Sequence, residues 1–187
     1  RSAGIPINIR NTNRPQDAGT MIVANDYDFS KESLCHTITG IAGRKGFSTI
    51  NIEKAMMNSE TGFGMKVLKV LFDHGISFEH MPSGIDTMSI TVDSSKLDPV
   101  REEVLADIRK AVNPDHLEIE DGIAILAVVG RRMKNTRGTV ARIFAAMAHA
   151  RINVKMIDQG SSELNVIIGV SEHDLDRKST RLNSSHE

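Results

Sequence analysis

The sequence of this 187-residue chain repeats itself. When residues 62–92 are laid on residues 138–168, at an offset of 76, eleven positions agree in apolar or glycine character without a gap. The agreement includes two glycine pairs, Gly62 with Gly138 and Gly84 with Gly160. A repeat of this length indicates one supersecondary unit that occurs twice. Whatever the chain folds into therefore contains two copies of one small unit.

The first copy combines helical with strand periodicity. Apolar residues at helical spacing end at Gly75, and alternating segments surround a turn-forming stretch, Pro82 to Asp86. The predicted elements are strand 48–53, helix 64–74, strands 76–80 and 88–92, a helix capped by Asp98 and Pro99, and strand 117–119. This order is that of the ferredoxin-like βαββαβ unit. The predicted fold class is α+β, with antiparallel sheets that carry helices on one face.

The second copy lacks its closing helix and strand. It supplies strand 123–129, helix 138–150 and strands 152–157 and 164–170. A spare strand, Thr37–Ala42, precedes the first copy, and we expect it to complete the second. The first domain is then residues 47–121, inserted within a second domain of residues 36–46 plus 122–175. The glycine-rich stretch 40–46 is interpreted as the exit from that spare strand.

Composition excludes several classes of partner. The 23 basic and 24 acidic side chains nearly cancel and aromatics are 4%, which disfavours nucleic acid. No apolar run reaches membrane-spanning length, and the single cysteine, Cys35, is typical of a reducing compartment. We therefore expect a cytoplasmic protein with no membrane or nucleic-acid partner. Cys35, His36, His74 and His80 lack metal-ligand spacing, so no metal site is predicted.

Several local motifs resemble one enzyme family. Two tandem ferredoxin-like units with a glycine before the first helix resemble a pair of ACT domains, which bind amino acids at their interfaces. The segments 36–42, 52–58, 62–64 and 76–86 resemble the regulatory region of aspartokinases, in particular the monofunctional, lysine-inhibited kind. Residues 1–29 resemble the tail end of the kinase domain of that family.

The resemblance implies a regulatory role. The chain begins without methionine and has no Lys-Phe-Gly-Gly-type segment, so this part is expected to lack the active site and to need no cofactor. The parent kinase would use ATP and Mg. The resemblance further implies a homodimer formed through the ACT domains. Lysine is the favoured effector over threonine or methionine. Residues 176–187 resemble a translated sequencing adapter and are expected to be foreign.

A binding site is predicted where the first strand passes into the first helix. Unpaired amides at a helix start attract a carboxylate, Met57 and Phe63 would form an apolar wall, and Glu79 would receive an ammonium group. Together with the family's effector positions, the candidate site residues are Met57, Asn58, Glu60, Gly62, Phe63, Gly64, Phe78, Glu79, Ser83, Gly84 and Asp86. Glu60 departs from the small hydroxyl residue found in better-known lysine-sensitive members.

Each of these residues also has a purely structural interpretation. Gly62 and Gly64 are equally explained by a tight turn, the phenylalanines by the core, and Glu79 by solvent exposure. At the level of the whole chain, the alternatives are a dimerisation module that senses nothing and an RNA-binding ferredoxin-like domain. The second requires exposed aromatic residues on the central strands, which the sequence does not supply.

Overall fold

The computed structural model describes residues 5–23 and 37–175. The chain divides into two compact units, residues 1–36 and 37–187. In the first unit, strand β1 (Ile7–Ile9) pairs antiparallel with β2 (Thr20–Ile22). The adapter-like tail 176–187, Cys35 and His36 lie outside the described residues. No helix in the described ranges is long and apolar enough to span a membrane.

The second unit is built on one antiparallel sheet of six strands, in the order β4-β5-β3-β6-β8-β7. Its elements are β3 (Gly40–Glu53), α1 (Phe63–Asp73), β4 (Phe78–His80), β5 (Thr87–Asp93), α2 (Ser94–Leu97), α3 (Arg101–Val112), β6 (His116–Val129), α4 (Thr139–His149), β7 (Val154–Asp158) and β8 (Asn165–Ser171). The predicted α+β class and the ferredoxin-like order of elements are confirmed.

The two copies share their central strands. The carboxyl half of β3 pairs with β5 and with the start of β6, while residues 40–44 pair with residues 125–129 at the end of β6. The strands β4-β5-β3-β6 thus belong to the first copy and β3-β6-β8-β7 to the second. Residues 40–46 were expected to leave the strand, and that expectation is wrong, because β3 continues through them without interruption.

Two glycines make these long shared strands possible. Gly46 and Gly122 have φ of +87° and +69°, and the pairing of β3 with β6 shifts register on either side of Phe47. A bulge inserts one residue and so reverses which residues of a strand face a given side. Gly43 therefore faces Leu126 and Leu175, whereas Ile50 and the other even-numbered residues face α1 and α3. The helices of both copies consequently cover the same side of the sheet.

Two apolar clusters fill the space between the sheet and the helices. The first comprises Ile50, Ile52, Met57, Phe63, Val67, Val70, Leu71, Ile76, Met88, Ile90, Val92, Leu97, Val104, Ile108 and Val112. The second comprises Ala124, Leu126, Val128, Met133, Ile143, Met147, Ile152, Val166, Ile168 and Val170. Each copy therefore has its own core, as expected for two repeated units.

The sheet curves so strongly that its outer strands meet. Six strands laid flat would separate the outer two by about 24 Å, at about 4.8 Å per spacing. Instead His80 Nδ1 of β4 lies 3.2 Å from Asp158 Oδ2 of β7, and Thr91 Oγ1 lies 3.7 Å from Met156 Sδ. The helix-free side is thus a concave face, lined by Phe47, Thr49, Asn51, Ser89, Thr91, Glu120, Ile123, Ile125, Met156 and Ile167.

Two details differ from the sequence-based expectation. In the first copy Ile50 pairs with Ile90. In the second copy Leu126, which corresponds to Ile50, pairs with Ile168, so matching residues of β5 and β8 are 78 positions apart and not 76. The hairpin between β7 and β8 is therefore two residues longer than the hairpin between β4 and β5. An insertion of two residues preserves the alternation of apolar and polar residues in a strand, so the ungapped match does not reveal it. The helical segment after β5 begins at Ser94 with Asp93 as its cap, not at Asp98.

Candidate functional site

The segment that joins β3 to α1 makes two left-handed turns. Met56 and Gly62 have φ of 59° and 81°, and a 3₁₀ turn (Met57–Ser59) lies between them. Gly62 is the N-cap of α1, and no side chain caps the helix. The positive φ supports the turn-forming interpretation of Gly62. Because Gly62 has no side chain, it offers no capping group to the first-turn amides of α1, and the Phe63 N–H donates to the Glu60 carbonyl at 3.2 Å.

The turn that precedes β5 is hydrogen-bonded to the segment that leads into α1. The backbone N–H of Lys54 donates to the Asp86 carbonyl at 2.8 Å, and that of Asn58 donates to the Ile85 carbonyl at 3.0 Å. The Asp86 carboxylate accepts a hydrogen bond from the Met56 N–H at 2.8 Å. The segment that leads into α1 and the turn at Ile85 and Asp86 are therefore neighbours in the fold, whereas Phe78 pairs with Val92 at the other end of β5.

The predicted apolar wall is part of the core. Met57 and Phe63 are 4% and 3% exposed and belong to the first apolar cluster. Their role in contacting a ligand stays a prediction. Lys54 Nζ lies 5.7 Å from the centre of the Phe63 ring, so the ring also makes a cation–π contact with the Lys54 ammonium group.

Glu60 is held by two lysines in front of α1. Its carboxylate accepts hydrogen bonds from Lys54 Nζ at 2.6 Å and from Lys66 Nζ at 2.7 Å. These bonds, that of Lys54 first, hold the pKa of Glu60 below its usual value. Lys54 also donates to the Val112 carbonyl at 2.6 Å. The site thus carries an ionised carboxylate whose two cationic partners lie beside the helix start.

Phe78 and Glu79 lie at the surface on β4. Phe78 is 46% exposed. Glu79 Oε1 accepts a hydrogen bond from Arg44 Nη1 at 3.2 Å, and Arg44 Nη2 reaches Asp93 Oδ2 at 2.8 Å. Glu79 can therefore bind a cation, and in this structure its cation is Arg44. Sequence reasoning missed Arg44, because it lies 35 residues away and reaches Glu79 only through the sheet.

The turn between β4 and β5 completes the set. Ser83 forms an isolated bridge with Met88, and the Gly84 N–H donates to the Thr87 carbonyl at 2.7 Å. Ser83 and Gly84 also line a cavity of about 350 Å³ that opens on the concave face. This turn therefore contacts two different surfaces, the helix-start segment through Asp86 and the concave face through Ser83 and Gly84.

The second copy has a cavity at the matching place. A volume of about 510 Å³ lies at the amino end of α4, against Met133, Gly138, residues 159–161 and Glu163. Met133 and Gly138 correspond to Met57 and Gly62 at the repeat offset of 76. Sequence reasoning placed no site here, although the repeat itself was a signal that could have indicated one.

Comparison with known proteins identifies this architecture. The family model for the ACT domain matches residues 126–183. Aspartokinase 3 of Bacillus subtilis is 39% identical over 91% of this chain, which spans 37% of that protein. The crystal structure of Clostridium acetobutylicum aspartate kinase is 48% identical with a TM-score of 0.84, covering 94% of this chain and 40% of that one.

More distant structures share the fold. Escherichia coli aspartokinase III, solved with lysine and aspartate, aligns over 98% of this chain and 39% of its own, with a TM-score of 0.70 at 20% identity. The regulatory subunit of aspartate kinase from Thermus thermophilus aligns over its whole length and 81% of this chain, with a TM-score of 0.67 at 19% identity. The chain belongs to the aspartokinase family and corresponds to its ACT-containing regulatory region.

Proposed function

We propose that this chain senses an end-product amino acid for an aspartate kinase, and that lysine bound at the amino end of α1 inhibits phosphorylation of aspartate. The Clostridium relative, 48% identical, is described as an allosteric enzyme. A protein of the same fold from Escherichia coli was solved with lysine and aspartate. ATP and Mg would act in the kinase part of the full-length protein.

The observation that carries this proposal is the joining of the two candidate segments. Three backbone-anchored hydrogen bonds hold the turn at Ile85 and Asp86 against the segment that leads into α1. A small ligand at the uncapped start of α1 would therefore meet donors from the helix and acceptors from the neighbouring strand and turn. A free amino acid needs that combination, because it carries one carboxylate and at least one ammonium group.

The charges fit lysine. First-turn amides of α1 would donate hydrogen bonds to the carboxylate of lysine, and Glu79 would accept hydrogen bonds from one of its ammonium groups. Exchange of Arg44 for that ammonium costs little, because both side chains are largely exposed, at 60% and 45%. Inhibition further requires that lysine bind one arrangement of the whole enzyme more tightly than another.

Calorimetry on this chain tests the proposal. Titration with lysine, threonine and methionine should give a binding isotherm for lysine, and a flat trace for all three refutes sensing. Glu79→Ala should weaken lysine binding about tenfold or more, since a hydrogen bond to a charged group is worth about 1.5–3 kcal/mol. Glu102→Ala, on the exposed side of α3, is the matched control and should bind as the parent does. Unchanged affinity in Glu79→Ala would remove Glu79 from the site.

A second candidate function is dimerisation without sensing. Met65 and Phe72 lie on α1 and are 68% and 79% exposed. Their counterparts on α4, at the offset of 76, are Ala141 and Ala148. Because α1 exposes large apolar side chains where α4 has alanines, we expect a protein partner to cover α1 and to make no contact with α4.

We propose a second copy of this chain as that partner, joined through α1. Sedimentation velocity should show a dimer that Phe72→Glu dissociates, whereas Ala148→Glu, the matched change on α4, leaves it intact. A dimer that forms equally well with and without lysine, combined with a flat calorimetric trace, would favour the purely structural module. A monomer at all concentrations would contradict dimerisation through this helix.

A further inference from the structure

Glu60 places a carboxylate of the chain itself beside the start of α1. The residue lies three positions before the helix, and its backbone carbonyl accepts a hydrogen bond from the Phe63 N–H at 3.2 Å. Its carboxylate lies between the ammonium groups of Lys54 and Lys66, at 2.6 and 2.7 Å. A free amino acid also carries a carboxylate, which the helix start and the same ammonium groups attract. The chain and its effector therefore offer similar anionic groups to the same cations.

The two lysines differ in how firmly they are held. Lys54 Nζ also donates to the Val112 carbonyl at 2.6 Å and lies 5.7 Å from the centre of the Phe63 ring, and its side chain is 24% exposed. The Lys66 side chain is 41% exposed, and within the described part of the chain its ammonium group makes one hydrogen bond, to Glu60. Lys66 can therefore exchange its partner and lose no other contact, whereas Lys54 cannot.

The charges at this point favour an incoming carboxylate over an incoming ammonium group. Glu60 Oε2 already accepts from Lys54 and Oε1 from Lys66, and these bonds, that of Lys54 first, hold the pKa of Glu60 below its usual value. Two ammonium groups and one carboxylate leave one positive charge among the three side chains. A ligand carboxylate neutralises that charge, whereas a ligand ammonium group adds to it.

We propose that Glu60 competes with the amino-acid effector for Lys66, so that the effector carboxylate binds Lys66 only after it displaces the Glu60 carboxylate. This inference rests on the proposed effector site at the start of α1 and assigns Glu60 a role opposite to that of a contact residue. Because only the fraction of molecules with an open Glu60–Lys66 pair can bind, Glu60 lowers the observed affinity. Lys54 keeps the Glu60 carboxylate nearby, so the pair can form again when the effector leaves.

Calorimetry on the 187-residue chain tests this competition with L-lysine, with L-norleucine, which lacks the side-chain ammonium group, and with cadaverine, which lacks the carboxylate. Glu60→Gln keeps the size of the side chain and removes its charge. It should lower the Kd for L-lysine about threefold, the effect expected for a partly exposed ion pair, and should not tighten the binding of cadaverine. Asp73→Asn is the matched control, because it removes the same charge from a lysine pair at the other end of α1 and should leave the Kd unchanged.

A double-mutant cycle separates competition for Lys66 from a general effect of charge. Lys66→Met should raise the Kd for L-lysine, and Glu60→Gln added to Lys66→Met should bring no gain, because the contested cation is absent. A gain of the same size in both backgrounds would contradict the proposal. Glu60→Ala replaces Glu60→Gln if far-UV circular dichroism and the Tm show that the latter fails to fold.

The outcomes separate this competition from lysine sensing itself. If L-lysine binds the parent and its Kd is unchanged or higher in Glu60→Gln and Glu60→Ala, sensing stands and the competition is wrong. If the parent shows no signal with L-lysine while Glu60→Gln binds it, the competition is supported. If Glu60→Gln binds L-norleucine more tightly than the parent does, and neither binds L-lysine, the competition stands and lysine is not the effector. Flat traces for all three chains with L-lysine and L-norleucine overturn both proposals.

Discussion

The bulges at Gly46 and Gly122 allow β3 and β6 to contribute to both apolar cores. The contribution of each glycine to the free energy of unfolding can be measured. Gly46 has φ +87°, and a Cβ added there would have no neighbour within 4 Å. Gly46→Ala therefore isolates backbone strain from steric overlap. A left-handed conformation costs an L-residue about 1–2 kcal/mol, and the stiffer unfolded chain returns about 0.4–1 kcal/mol. The expected net loss in free energy of unfolding is about 1 kcal/mol.

Urea unfolding followed by far-UV circular dichroism measures this difference. Gly160→Ala is the matched control, because Gly160 also has open space around it and is not among the residues with positive φ. The control should be neutral or slightly stabilised. Gly122→Ala should behave like Gly46→Ala, since its φ is +69° and its surroundings are equally open. If Gly46→Ala is as stable as Gly160→Ala, the bulge does not need the left-handed conformation and the reasoning fails.

Two further predictions concern stability. Hydrogen bonds from Arg101 and then from Ser48 hold the pKa of Asp121 below its usual value, so its contribution is present at neutral pH and is lost as the pH falls below about 4. Acid unfolding should therefore show a shallower decline between pH 4 and pH 2 in Asp121→Asn than in the parent, and parallel curves would contradict this. Ile90 is fully buried, so Ile90→Ala should cost about 2–5 kcal/mol in urea unfolding, whereas Ile157→Ala, at a half-exposed position, should cost far less. Equal losses would mean that Ile90 is not a core residue.

Only part of the candidate site could be predicted from the sequence. Helical periodicity supplied the position of the helix start, and the resemblance of segments 52–58, 62–64 and 76–86 to a known family supplied the candidate residues around it. Local patterns could not supply the partners of the charged groups. Glu60 pairs with lysines six residues away on either side, whereas Glu79 pairs with Arg44 across two strand pairings. Periodicity indicates which residues share a face, and carries no information on which strand lies beside which.

Sequence alone determined the repeat, the class of each element and the apolar faces, because these depend on spacings of 2 and 3.6 residues within short segments. It also placed α1 and α4 to within a residue at each end. Only the tertiary structure decided that 40–53 and 116–129 are single strands, that the second hairpin is two residues longer, and that the sheet curves until β4 touches β7. These features arise from long-range strand pairing. Gly46 and Gly122, which are 76 residues apart in the sequence, both adopt a positive φ near the place where the pairing of β3 with β6 shifts register.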